Sequence, residues 1–234
     1  MNVQVHDVPF DELPKHFQHI PLVAYKPWIV LDVLSSVSKG STVLWLDSNT
    51  EVRRPLDDVW GFVEEDGYFF TVAGHKFPTF RTVRSRTMEI VGCEGGELVA
   101  ERTSAIMGFR VDDLKVENVG VTVLEKMHAC ALDIACHYPP GSTFSNQKRD
   151  QSGLNAVLCH LRETVGVDLK CHEDGVYWAY ASQLGLRVTE DETMFNDVVF
   201  MSRRGVPPMK YIRHIKPEPP EVVFTGENVD THWK

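Results

Sequence analysis

Apolar and polar positions alternate along this chain in blocks that read as helices and strands in turn. "YKPWIVLDVLSSVSKG" places Pro27 in a first helical turn, and Trp28, Leu31 and Leu34 recur at helical spacing. Lys39-Gly40 supplies a stop. "TVLWLD" is short, continuous and apolar between Gly40 and Asp47-Ser48-Asn49, the pattern of a buried strand. "PLDDVWGFVEED" predicts a helix or turn and leads to a second strand, "GYFFTVAG". "TSAIMGFRVDD" predicts a third short strand, followed by a helical segment from about Val116 to Ala135 and a loop at Pro139-Pro140-Gly141.

"DQSGLNAVLCHLRETVG" is amphipathic, with Leu154, Val157, Leu158, Leu161 and Val165 on one face and Gly166 at its end. "VYWAYASQLGL" and "DVVFMSRRG" form two further short elements. The proline-punctuated tail predicts a strand that runs into an extended arm. Strands alternating with helices predict an α/β fold with a mixed, mostly parallel central sheet flanked by helices. The expected division is an amino-terminal arm over 1–24, one domain over 25–215 and a tail over 216–234.

Composition narrows the function classes. A hydrophobic share of 43% fits an ordinary folded domain rather than a disordered chain. The net charge of -9 disfavours a nucleic-acid binder, which needs a basic face. Lys76, Arg81, Arg84 and Arg86 still form a local basic cluster, suited to phosphate or carboxylate contacts or simply solvated. No window reaches the roughly 20 apolar residues of a membrane span, and the amino terminus has no apolar core of signal-peptide type. As it stands the chain reads as soluble; it is also compatible with being one piece of a longer protein.

The five cysteines at 93, 130, 136, 159 and 171 are odd in number and show no CxxC spacing, which argues against a disulfide scaffold and leaves room for one bridge. Cys130, Cys136, Cys159 and Cys171 lie beside or near histidines, but their spacing matches no closed four-ligand zinc pattern.

The end of the "VLWLD" strand is where chemistry concentrates. In open α/β sheets ligands gather at the carboxyl ends of strands. Asp47 there, with an oxygen ligand two residues on at Asn49, suits a divalent cation shared with a diphosphate. The same Asp-Ser-Asn is also ordinary turn chemistry. Asp150 likewise suits a helix cap, and Lys26 a solvated position before a helix.

"AYKPWIVLDVL" followed by "VLWLDSNTEVRRPLDDVW", then "RTSAIMGFR" and "SNQKRDQSGLNAVL", together resemble the nucleotide-diphospho-sugar glycosyltransferases of the GT-A fold. In those families a basic residue precedes a helix, the next strand ends in Asp-x-Asp, and a late Asp-Gln-x-x-Leu-Asn opens a helix. The resemblance runs over about residues 24 to 165. It implies that Asp47 and Asn49 hold Mn²⁺ or Mg²⁺ against the donor diphosphate, with His214 completing the metal site. It further implies that Lys26, Ser48 and Gln151 line the donor, and that Asp150 faces the reacting carbon as catalytic residue. The implied partners are a nucleotide-sugar donor and a glycan or protein hydroxyl acceptor. The implied compartment is the Golgi lumen if an anchor precedes this chain, and the cytoplasm otherwise.

Two departures mark the chain off from that family. The motif is Asp-x-Asn rather than Asp-x-Asp, and only 46 residues precede Asp47, where a nucleotide-binding half is expected. They leave open an alternative, a non-catalytic module of the same fold that binds a glycan or protein. A zinc-stabilised interaction domain built on the Cys/His pairs is the third reading.

Overall fold

A computed structural model describes residues 7–52, 54–72, 82–94, 101–111, 119–143, 145–166, 178–180 and 200–202. Helix α1 (Lys26–Ser36) begins with Pro27 in its first turn and buries Lys26, Pro27, Val30 and Leu34. It ends at Ser36, and Gly40 (φ 82°) then makes the left-handed turn that feeds β1 (Thr42–Leu46). A turn through Asp47-Ser48-Asn49 leads to β2 (Thr50–Val52), which the sequence pattern did not announce. Helix α2 (Asp57–Asp66) stops at Gly67, whose N–H closes on the Val63 carbonyl, and β3 (Tyr68–Val72) follows.

Helix α3 (Ser85–Val91), strand β4 (Arg102–Arg110) and helix α4 (Val119–Leu132) come next. The helical segment expected to run unbroken to Ala135 breaks at Asp133, whose carboxylate accepts from the Ala135 N–H and starts the short α5 (Ile134–His137). Helix α6 (Asp150–Val165) ends at Gly166 in the left-handed conformation. Strands β5 (Trp178–Tyr180) and β6 (Phe200–Ser202) complete the described elements.

The mixed α/β class holds, but the main sheet is not mostly parallel. Its order is β1-β4-β3, and β4 runs antiparallel to both neighbours. The reason lies in the order of pairing. β1 and β3 run the same way, as a crossover through α2 requires, but β4 inserts between them and faces each in the opposite sense. A second small sheet, β2-β6-β5, holds the one parallel pair among the described residues, β5 with β6.

Side-chain alternation along the strands builds a core on each face of the main sheet. Tyr68, Phe70, Met107 and Phe109 meet Val30 and Leu34 of α1, Val123, Leu124 and Met127 of α4, and Leu154, Val157, Leu158 and Leu161 of α6. On the other face Phe69 and Ile106 meet Val59 and Val63 of α2. β1 feeds Val43 and Trp45 to the first face and Leu44 and Leu46 to the second. Both its faces are covered, yet its residues are only half buried, because β1 pairs on one edge alone among the described strands.

The residues before α1 also pack inward. Phe17 and Ala24 are fully buried against Ala131, His16 Nε2 lies 2.7 Å from the Ala131 carbonyl, and His137 Nε2 lies 2.7 Å from that of Leu22.

Gly108 in β4 permits the closest approach in this core. A Cβ there would sit 2.6 Å from Val63 Cγ2 and 2.8 Å from Phe69 Cβ. Both are stiff neighbours close to their own backbones. We expect Gly108→Ala to lose about 1–3 kcal/mol by overpacking, measurable by urea unfolding.

Two disulfides join Cys93 to Cys159 and Cys130 to Cys136. This corrects the expectation of at most one bridge. Spacing could not reveal the first pair, because 66 residues separate its cysteines and only the packing of α3 beside α6 brings them together.

Candidate functional site

Three charged side chains from distant parts of the chain meet at one end of the main sheet. Lys26, at the first position of α1, is 1% exposed. Its ammonium lies 2.8 Å from Asp47 Oδ1, forms an ion pair with Asp150 Oδ2 and donates to the Ser104 carbonyl at 3.1 Å. It also stands 5.5 Å from the centre of the Trp45 ring, whose Nε1 donates to Asp47 Oδ1 at 2.9 Å. Lys26, read from sequence as either a solvated residue or a donor ligand, is therefore a buried cation held on several sides.

Each partner is placed by a different element. The Asp47 N–H donates to the Ala105 carbonyl at 2.9 Å, extending the β1–β4 ladder by one step, and its own carbonyl accepts from the Thr50 N–H at 2.8 Å to form the turn. The turn and the charged site thus coincide at Asp47. Asp150 is the first helical residue of α6 and does not serve as its cap, since that place belongs to Arg149.

A polar scaffold fixes the start of α6. The Asn155 amide accepts from the Arg102 N–H at 2.7 Å and donates to the Arg102 carbonyl at 2.9 Å, pairing with β4 as a strand would. Gln147 accepts from the Arg84 N–H and donates to Thr87 Oγ1 and the His137 carbonyl. Ser152 Oγ accepts from the Lys148 N–H and donates to the Thr82 carbonyl. These buried groups have their hydrogen bonds satisfied, which is what a precisely held carboxylate requires.

Electrostatics follow from this geometry. Burial pulls the Lys26 ammonium toward neutrality, but Asp150 and Asp47 outweigh it and raise its pKa. Burial pushes Asp150 up, yet Lys26 and the Ser104 hydroxyl hold it below the ordinary carboxylate range. Tyr25, the residue before Lys26, has its phenol pushed up chiefly by burial. Lys26 and Asp150 are therefore both charged at neutral pH.

The other candidates stand apart. Ser48 is exposed and Asn49 half buried, both in the turn beside Asp47. Gln151 turns to a second cluster, where its Nε2 donates to Glu101 Oε1 at 2.6 Å while Lys148 pairs with the same fully buried carboxylate. His214, Lys76 and Arg81 lie outside the described residues. Arg86 pairs with Glu89 on the surface, and Arg84 donates to the Pro140 carbonyl.

Sequence reasoning missed Trp45, Ser104 and Tyr25. Tyr25 adjoins Lys26 and Trp45 stands two positions before Asp47, so both were within reach of it. Ser104 enters only because β4 pairs with β1.

A divalent ion fits this site in part. Asp47 commits Oδ1 to Lys26 and Trp45, while Oδ2 and the Asn49 amide make no hydrogen bond among the described residues. One carboxylate oxygen with an amide oxygen is a hard donor set that substrate phosphates would have to complete.

Cys93, Cys159 and Glu163 also lie close enough to share an ion, but the two sulfurs are bonded to each other and carry no thiolate. With Cys130 and Cys136 also bridged, the zinc reading loses its ligands among the described residues. Compared with family models, curated proteins and solved structures, the chain matches none. No described helix is long and apolar enough to cross a membrane.

Proposed function

We propose that the chain is a glycosyltransferase of GT-A type that takes a nucleotide-sugar donor at the Lys26–Asp47–Asp150 cluster and transfers the sugar to a hydroxyl of a glycan or protein. The observation that carries this reading is the convergence of Lys26 on both Asp47 and Asp150 from opposite ends of the resembling segment. The buried Lys26–Asp150 pair costs desolvation energy that an apolar core would not, which favours a use beyond stability.

In this reading Asp47 Oδ2 and the Asn49 amide would hold Mn²⁺ or Mg²⁺ beside the donor diphosphate, and the ion would neutralise charge on the departing nucleotide. Lys26 fixes Asp47 in place and adds a preorganised positive charge near the phosphates. Asp150 orients Lys26. Its depressed pKa makes it a weak proton acceptor while that pair is intact, so an inverting reaction needs the pair to open before Asp150 can take the acceptor proton. The two disulfides favour an oxidising compartment such as the Golgi lumen over the cytoplasm.

A second reading, a non-catalytic glycan- or protein-binding module, draws on the closure of both carboxylates onto Lys26, which leaves a single carboxylate oxygen of Asp47 for an ion. Titration of the chain with UDP and with GDP, with and without Mn²⁺, separates the two. A donor site binds in a metal-dependent way and loses that binding in Asp47→Ala. A module with no donor site binds neither nucleotide.

A further inference from the structure

Asp47 takes two donors on a single oxygen. The Lys26 ammonium lies 2.8 Å from Oδ1 and the Trp45 indole Nε1 donates to the same atom at 2.9 Å, while Oδ2 makes no hydrogen bond among the described residues. A third of the Asp47 side chain reaches solvent. The carboxylate is thus anchored at one oxygen and open at the other. Carboxylates that ligate an ion through one oxygen are commonly steadied by a hydrogen bond to the second.

The two donors are not equivalent. Lys26 is shared, since its ammonium also pairs with Asp150 Oδ2 and donates to the Ser104 carbonyl at 3.1 Å. An ammonium on a flexible stem is a point charge that either oxygen of Asp47 can satisfy, so it holds the residue close without choosing the oxygen. Trp45 supplies that choice. It stands two positions before Asp47, and the β1–β4 ladder continues through the Asp47 N–H, so both side chains leave the same face. Its indole is half buried and packs against the larger core cluster. Its one N–H is fixed in the plane of the ring, and the ring offers no acceptor. The Lys26 ammonium lies over the same ring, 5.5 Å from its centre. One side chain therefore meets both charged partners and sets which oxygen of Asp47 is held back.

We infer that Trp45 is a positioning residue of the donor site, whose indole N–H holds Asp47 Oδ1 so that Oδ2 is presented to the divalent ion. This rests on the donor-site reading above and extends it from the ligands of the ion to the side chain that orients one of them. A tryptophan kept for packing and one kept for its N–H respond oppositely to two substitutions. Phenylalanine keeps a large ring against the core and removes the donor. Histidine gives up the large ring but carries a ring nitrogen at the place the indole nitrogen holds in its five-membered ring.

The test is calorimetric titration of the intact chain, Trp45→Phe and Trp45→His with UDP and with GDP, with and without Mn²⁺, beside their melting temperatures. The pH is set at about 8, where a free imidazole is neutral. We expect Trp45→Phe to bind the nucleotide in Mn²⁺ at least about tenfold more weakly than the wild type, with metal-free binding unchanged. Trp45→His should melt lower than Trp45→Phe yet bind more tightly in Mn²⁺. Wild-type affinity in Mn²⁺ for Trp45→Phe overturns the inference and leaves the donor-site reading standing. Affinities that follow the melting temperatures, with Trp45→His the weakest, assign Trp45 a packing role and overturn it as well. A wild type that binds neither nucleotide, or binds without regard to Mn²⁺, overturns the donor-site reading and this inference with it.

Discussion

Lys26→Met is expected to lower stability by about 3–5 kcal/mol, the cost of leaving buried charge without its partner. Methionine fills much the same volume, so the loss is electrostatic rather than a cavity. Asp47 contributes less than Asp150, because a third of its side chain reaches solvent. For a chain of this size the change corresponds to a fall of roughly 10 °C in melting temperature.

The pH dependence gives this result a signature that simple destabilisation lacks. In the wild type the Asp150 pKa lies below its unfolded value, so its contribution is complete above about pH 4. It is lost only as the pH falls through the depressed folded value. The Lys26 pKa is raised, so its contribution is complete below about pH 10 and is lost as the pH rises through the raised value. Between pH 5 and 9 this cluster therefore gives the wild type no slope. Without Lys26, burial dominates at Asp150 and raises its pKa above the unfolded value, which reverses the sign. Lys26→Met should become more stable as the pH is lowered from 7 to 5. Urea unfolding of both proteins across that range measures it, and parallel profiles would contradict the ion-pair account.

The second large effect concerns the bridge between Cys93 and Cys159. It closes a loop across 66 positions, and the chain-entropy treatment gives about 4 kcal/mol for a loop of that length. The Cys130–Cys136 bridge spans six positions and contributes about 2 kcal/mol by the same treatment. Cys93→Ser with Cys159→Ser should therefore reduce stability about twice as much as Cys130→Ser with Cys136→Ser. Denaturant midpoints of the two double variants decide the point, and an equal or reversed order would count against the loop argument. Serine at 93 and 159 would also place hydroxyls in the small apolar cluster formed by Val83, Met88 and Ala156, which adds to the cost.

What could be read in the sequence was local. The helical spacing of "KPWIVLDVL", the apolar run "TVLWL" and the face of "LNAVLCHL" each correspond to an element, because periodicity records what a segment buries. Sheet order depends on which strand pairs with which, and no window contains that. The insertion of β4 between β1 and β3 turned the expected mixed, mostly parallel sheet into an antiparallel one, while its three strands stand where the apolar runs placed them. The apolar run of β1 correctly signalled two covered faces and carried no mark of its open edge.

The candidate site was legible to a similar depth. Lys26, Asp47 and Asp150 were named on a family resemblance, and the fold brings these three together. Their mutual ion pairing was not legible, since it depends on the approach of α1, β1 and α6 at the end of the sheet. Gln151 sits one residue from Asp150, yet helical rotation sends it to Glu101.

The most direct test of the donor site is calorimetric titration of the folded chain with UDP and GDP, with and without Mn²⁺, beside Asp47→Ala. The account predicts that one of the nucleotides binds, that Mn²⁺ strengthens it at least about tenfold, and that Asp47→Ala removes this dependence. Binding of neither nucleotide by a folded sample, or binding that ignores both the ion and Asp47, would contradict it.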